Sequence, residues 1–168
     1  AMRVASPAGT ATAPRIAARV HPVDHPAFAQ DVRTIVAGAG AFLCHLMVPK
    51  VESVQDVERA VQAIDAAMPA GRTAPLPLQV LIESPAAVHR AFDIAAHPRV
   101  QSLSFGLMDF VSAHGGAIPA GGMSGEGQFR HPLVLRAKTE IASACHAHSK
   151  VPSHCVVTEF KDADALGR

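Results

Sequence analysis

The sequence predicts an α/β fold built on a parallel sheet, and three observations carry that prediction. Short apolar runs of strand length alternate with longer runs of helical periodicity along the chain. The run Ala41 to Val48 is nearly uncharged, as expected for a parallel strand covered on both faces. The stretch Leu78 to Phe110 reads as a complete strand–helix–strand unit, with Ala86 to His97 long enough for one crossover helix. This alternation leaves both a barrel and an open doubly wound sheet standing. No Gly-x-Gly-x-x-Gly follows the first strand, which weighs against a dinucleotide fold.

Residues 1–14 are rich in Ala, Thr, Gly and Pro and read as a loose leader or loop remnant. The remainder, 15–168, reads as a single domain. Arg15 to Val20 has strand character, and Pro22, Asp24 and Pro26 then force a turn in which Asp24 is a candidate cap. Ala27 to Ala37 is helix-like, with Gly38 and Gly40 as stop signals. The strand Ala41 to Val48 runs into Pro49-Lys50-Val51-Glu52-Ser53. Ser53 followed by Asp56 resembles a helix start, and Val54, Val57, Val61 and Ile64 then make a helical stripe to Met68. After a loop over Gly71 to Pro77 come the strand–helix–strand unit and then a glycine-rich stretch, Val111 to Gln128, predicted as a long flexible loop. That stretch lacks a Gly-Lys-Ser/Thr ending, so it is no P-loop. His131 to His148 is predicted as a helix and His154 to Glu159 as the last strand.

The chain has 168 residues, 49% hydrophobic and 17% charged, a globular composition. Its net charge is +1, and Trp and Tyr are absent, so nucleic-acid binding has neither a basic patch nor a stacking platform. The least charged stretch, Thr34 to Pro49, is too short and too broken for a membrane span. No basic segment followed by an apolar core opens the sequence, so a cytoplasmic location is the expectation. Three cysteines, Cys44, Cys145 and Cys155, make an odd count that fits a reducing compartment. The grouping of Cys145, His146, His148, His154 and Cys155 invites a zinc reading. It lacks a Cys-x-x-Cys pair, and buried thiols are the preferred reading.

Two acidic residues stand out. Glu83 and Asp109 each lie at or just past the end of an apolar strand-like run, on the rim where α/β proteins place their chemistry. Two hard oxygen ligands from neighbouring strands suit Mg²⁺, which fills its other positions with water and substrate. Without a partner, each would be a solvated loop charge or a helix cap. His21 and His25 are read as turn residues, because Pro22 prevents a continuous helix between them. His114 and His131 flank the glycine-rich stretch and are read as surface residues.

Five motifs occur in order: Arg19-Val20-His21-Pro22, Pro49-Lys50-Val51-Glu52-Ser53, Leu81-Ile82-Glu83-Ser84, Phe105-Gly106-Leu107-Met108-Asp109-Phe110 and Thr158-Glu159-Phe160-Lys161-Asp162. Together they resemble the citrate lyase β-subunit-like branch of the HpcH/HpaI aldolase/citrate lyase superfamily. The resemblance covers Arg15 to Leu166. It implies a TIM (β/α)₈ barrel, present here in part as the third to seventh strands. It also implies an oligomer, with Mg²⁺, or Mn²⁺ in its place, held at Glu83 and Asp109. By the same resemblance Arg19 contacts the substrate carboxylate or the developing enolate, and Lys50 and Glu52 are supporting residues at the mouth of the next strand. The implied reaction is carbon–carbon cleavage or formation in a citryl-, malyl- or citramalyl-type acyl-CoA thioester. A class II pyruvate aldolase and a non-catalytic remnant that binds small acids or partners are the alternatives. A barrel of this kind runs to roughly 250 residues, so the strands before Arg15 and after Arg168 are missing from the sequence. No residue offers itself as the general base.

Overall fold

The structure, a computed structural model, describes residues 16–69, 74–158, 161, 162 and 164. The predicted leader, part of the Gly71–Pro77 loop, and Glu159 and Phe160 of the last motif lie outside the described residues. The elements are β1 (Ile16–Arg19), α1 (Phe28–Ala39), β2 (Leu43–Val48), α2 (Val54–Ala67), β3 (Leu78–Ile82), α3 (Pro85–His89), α4 (Ala91–Ala96), β4 (Val100–Phe105), α5 (Leu107–Ala113), α6 (Pro132–Ala147) and β5 (Val151–Ser153).

All five strands are parallel and stand in the order β1-β2-β3-β4-β5. That order settles the question the sequence left open. A doubly wound sheet reverses direction at a switch point, whereas here each crossover steps to the next strand in the same direction. Right-handed crossovers repeated in one direction put every helix on the same side. The helices accordingly pack in a row, α1 on α2, α2 on α4 and α4 on α6. This is the arc of a barrel wall.

The core lies between the arc and the helices. Leu46, Val48, Val80, Ile82, Leu103 and Phe105 from the strands meet Val32, Val36, Val57, Ile64, Ile94 and Ile141 from the helices, all buried. The pairing Arg19↔Met47, Met47↔Gln79 and Gln79↔Ser102 makes a row across four strands. Arg19 is exposed and the other three half-buried, so this row faces away from the helices.

Several predicted boundaries change for physical reasons. Helix α1 runs through Gly38, and Gly40, whose N–H donates to the Val36 carbonyl, ends it. Asp24 does not cap α1: the residue before the helix is Ala27, and Asp24 pairs with Arg59 at 2.7 Å. At α2 the predicted start holds, because the Asp56 carboxylate accepts from the N–H groups of Ser53 and Glu52. The single crossover helix after β3 is two short helices with a break at Arg90 (φ −99°, ψ 10°).

The apolar run from Val100 to Phe110 proves to be two elements. It leaves strand geometry at Gly106, and Leu107, Phe110 and Val111 become the buried stripe of α5. Phe110 packs edge-on against Phe105 at 5.0 Å. The glycine-rich stretch is structured too: its start is helix α5, and 3₁₀ turns occupy Ala120–Met123 and Gly127–Phe129. Strand β5 falls at Val151–Ser153, before the predicted His154–Glu159. Its partner β4 pairs only through Ser104 in that register and turns into α5 at Gly106. His154 and the described residues up to Thr158 therefore join no ladder, and Glu159 lies outside the described residues. Pro152, lacking an N–H, is tolerated because β5 is an edge strand.

Candidate metal and substrate site

The loops that follow β1, β2, β3 and β4 open on one side, as parallel strands require. They enclose a cleft of about 510 Å³ lined by Arg19, His21, Lys50, Glu83 and Asp109 among others. Four of the five residues singled out in the sequence therefore meet in one place. The fifth, Glu52, does not line the cleft. Its Oε2 accepts a hydrogen bond from the Ser84 hydroxyl at 2.7 Å, and Ser84 in turn caps α3 through the Ala87 N–H at 3.0 Å. Glu52 thus ties the β2–α2 loop to the β3–α3 loop beneath the site.

Glu83 follows β3 directly and is buried, 8% exposed. Its Oε2 accepts the Lys50 backbone N–H at 2.8 Å. Lys50 holds a left-handed backbone (φ 53°), an uncommon conformation for a residue with a side chain. The bond across to Glu83 accompanies that turn and points the Lys50 side chain into the cleft. Burial pushes the Glu83 carboxyl above its ordinary value, and the nearby Asp109 charge adds to this; the Lys50 N–H and the positive charges of Lys50 and Arg19 pull the other way.

Gly106 supplies the space for Glu83. A Cβ at position 106 would lie 2.5 Å from Glu83 Oε1 and 2.9 Å from its Cδ. Asp109 arrives from the first turn of α5, not from a strand end, which corrects the sequence reading of its location. The Lys50 ammonium donates to Asp109 Oδ1 at 3.0 Å, and the Asp109 carboxylate raises the Lys50 pKa. Lys50 therefore touches both acidic residues, one with its backbone and one with its side chain. Arg19, at the end of β1, forms no ion pair among the described residues, so the strand-end salt bridge considered for it is not present.

The donor set fits a hard divalent cation. Glu83 and Asp109 offer carboxylate oxygens on one cleft, and burial of Glu83 makes its negative charge costly until a cation compensates it. Among the described residues no three His, Cys, Asp or Glu side chains gather as a ligand cluster. The other coordination positions would fall to water and substrate, as is usual for Mg²⁺. Zinc at the C-terminal cysteines finds no support. Cys145 is buried on α6, and the Cys155 thiol donates to Gln128 Oε1 at 2.9 Å. Both thiols are pushed up by burial.

Two residues were missed as a pair. His21 lines the cleft, with its ring Nδ1 2.6 Å and its backbone N 2.8 Å from Asp31 Oδ2. Nothing in the spacing of ten residues announces that contact. His114 and His131, read as surface residues, are both half-buried, and His114 packs on Phe110.

Two carboxylates and an arginine thus stand on the rim of a parallel β/α arc, the side on which barrel folds place their sites. The HpcH/HpaI aldolase/citrate lyase family model matches residues 4–166, and the chain belongs to that family. The L-malyl-CoA/β-methylmalyl-CoA lyase of Cereibacter sphaeroides is 32% identical over 164 residues, covering 90% of this chain and 51% of that protein. A citrate lyase structure from Burkholderia xenovorans LB400 superimposes with a TM-score of 0.84 at 48% identity, over 88% of this chain and 47% of that one. A citrate lyase β subunit from Mycobacterium tuberculosis, solved with oxaloacetate and magnesium, shares the fold at 22% identity and a TM-score of 0.67, over 89% of this chain and 58% of that one. The chain spans about half the length of the curated relatives it matches. Its five strands are accordingly part of a TIM-barrel-type wall. No helix among the described residues is long and apolar enough to cross a membrane.

Proposed function

We propose that this chain carries the metal and substrate site of a Mg²⁺-dependent carbon–carbon lyase acting on a hydroxy-acyl thioester. Within that class a malyl-CoA type substrate is the first choice, by similarity to the Cereibacter sphaeroides lyase. The observation that carries the reading is the meeting of Glu83, Asp109, Arg19 and Lys50 on one cleft from four successive loops.

In this reading Glu83 and Asp109 hold the cation. A bound divalent ion, Mg²⁺ or Mn²⁺, supplies positive charge against the negative charge that builds up as the carbon–carbon bond breaks. Arg19 binds the substrate carboxylate or the thioester oxygen that becomes anionic; its planar fork stays charged and pairs two oxygens at once. Lys50, paired with Asp109 Oδ1, would stand as a second positive group at the mouth of the cleft. Glu52 acts at one remove, holding Ser84 and with it the turn that presents Glu83. The exposed edge strands β1 and β5 suit association with further chain or further copies, so an oligomer belongs to the proposal.

The test pairs metal titration with product detection in the natural full-length protein. Wild type should bind Mn²⁺ and release glyoxylate from malyl-CoA. Glu83→Gln and Asp109→Asn should each weaken Mn²⁺ binding at least about tenfold and lower cleavage by about 10² or more. Aldol condensation of pyruvate with an aldehyde, without thioester cleavage, would move the assignment to the class II aldolase. Unchanged Mn²⁺ binding in both variants would remove the metal assignment, and no binding by wild type would leave a non-catalytic small-acid binder.

A further inference from the structure

The roles given above to Arg19, Lys50, Glu83 and Asp109 leave the proton transfer of the reaction unassigned. Breaking a β-hydroxy thioester needs a group to carry it, since the hydroxyl proton must leave as the oxygen becomes a carbonyl. We propose that His21, held by Asp31, is that group, and this rests on the lyase reading above.

Asp31, from the first turn of α1, accepts both the backbone N–H and the ring of His21 through the single oxygen Oδ2, at 2.8 and 2.6 Å. A carboxylate on Nδ1 fixes the proton there and leaves Nε2 with its lone pair. Among the described residues no hydrogen bond engages Nε2. The ring is further fixed by stacking on His25, centroids 4.2 Å apart and 11° from parallel. His25 is itself oriented, because its Nδ1 accepts the Ala27 N–H at 3.1 Å. The main-chain and ring bonds from His21 keep the Asp31 carboxyl below its ordinary range, so it stays charged as the imidazole gains a proton. The charged and titratable groups facing His21 are Asp31 on α1, His25 in the same turn, Arg19 at the end of β1, and Lys50, Glu83 and Asp109 elsewhere in the cleft lining.

The step balances as follows. His21 Nε2 takes the β-hydroxyl proton, the oxygen forms the carbonyl of the departing aldehyde acid, and the Cα–Cβ pair moves into the thioester enolate. The imidazolium then returns its proton to the enolate carbon. One thioester gives one acyl-CoA and one oxo acid with no net proton change, and Asp31 remains a carboxylate throughout.

The test uses His21→Ala and His21→Asn in the natural full-length protein, followed by malyl-CoA cleavage against pH and by Mn²⁺ titration. Both variants should lose about 10²-fold or more in kcat, with Mn²⁺ affinity and KM within about threefold of wild type. Wild type should lose kcat toward acid pH and the variants should not, and added imidazole should restore activity to His21→Ala. Asp31→Asn should lose about tenfold or more in kcat while still binding Mn²⁺. Cleavage by His21→Asn within threefold of wild type, or no imidazole rescue of a folded His21→Ala, overturns the assignment to His21 and leaves the lyase reading intact. A wild type that binds Mn²⁺ and cleaves no thioester overturns both.

Discussion

Replacing Gly106 by alanine tests whether the Glu83 carboxylate is seated as described. The backbone itself tolerates the change, since φ −91° and ψ 80° lie outside the left-handed region. The obstacle is the side chain of Glu83, because the new methyl would sit 2.5 Å from Oε1 and 2.9 Å from Cδ. Glu83 is buried and anchored by the Lys50 N–H at 2.8 Å, so it yields only by breaking that bond. Losing a charge-assisted hydrogen bond at a buried carboxylate costs about 1.5–3 kcal/mol. At about 2–4 °C per kcal/mol for a chain of this size, the melting temperature should fall by roughly 3–12 °C. On the metal reading proposed above, Mn²⁺ affinity should fall at least about tenfold, since one of the two proposed ligands is displaced. Calorimetric melting and Mn²⁺ titration measure both, with Gly38→Ala as the control. At Gly38, inside α1, nothing lies within 4 Å of an added Cβ, and alanine there should be neutral or stabilising by up to about 1 kcal/mol. If Gly106→Ala melts with wild type and binds Mn²⁺ equally well, the packing described around Glu83 is not what holds the ligand.

Two further expectations concern charge. Burial raises the Glu83 carboxyl above its ordinary value of 4.5, so in metal-free protein its contribution to stability is greatest below that value and is lost as pH rises through the raised one. Mn²⁺ should therefore bind more tightly, and stabilise more, as pH rises through the same window; a pH series of Mn²⁺ titrations in which Glu83→Gln keeps the wild-type slope would contradict this. Asp56→Ala removes the carboxylate that receives the N–H groups of Ser53 and Glu52 and pairs with Arg59. Loss of such a cap costs about 1–2 kcal/mol, readable as a shift of the urea midpoint without a change of slope.

Much of the site was legible because its residues sit at chain positions that local rules mark. Glu83 and Lys50 directly follow apolar runs that could only be strands, and parallel strands bring their ends to one rim. Asp109 lines the cleft with the others but comes from the first turn of α5 and not from a strand end. The run Val100 to Phe110 is apolar at both strand and helix spacing, and only packing of Phe110 on Phe105 decides where one period gives way to the other. Glu52 carries the same marks as Lys50, yet its side chain meets Ser84 below the cleft. The His21–Asp31 pair was invisible, because a contact between a loop and a helix ten residues on depends on how α1 lies against the sheet.

The sequence by itself determined the parallel β/α alternation and the rim on which the two acidic residues stand. Both follow from periodicity and from the geometry of parallel crossovers, which are local. Only the tertiary structure decided that the strands run in unbroken order as a barrel arc. It also decided that Gly106 leaves room for the Glu83 carboxylate and that a histidine is held on the cleft that Glu83 and Asp109 line. Those depend on which surfaces meet across the sheet, where distances of a few tenths of an ångström separate a hydrogen bond from a clash.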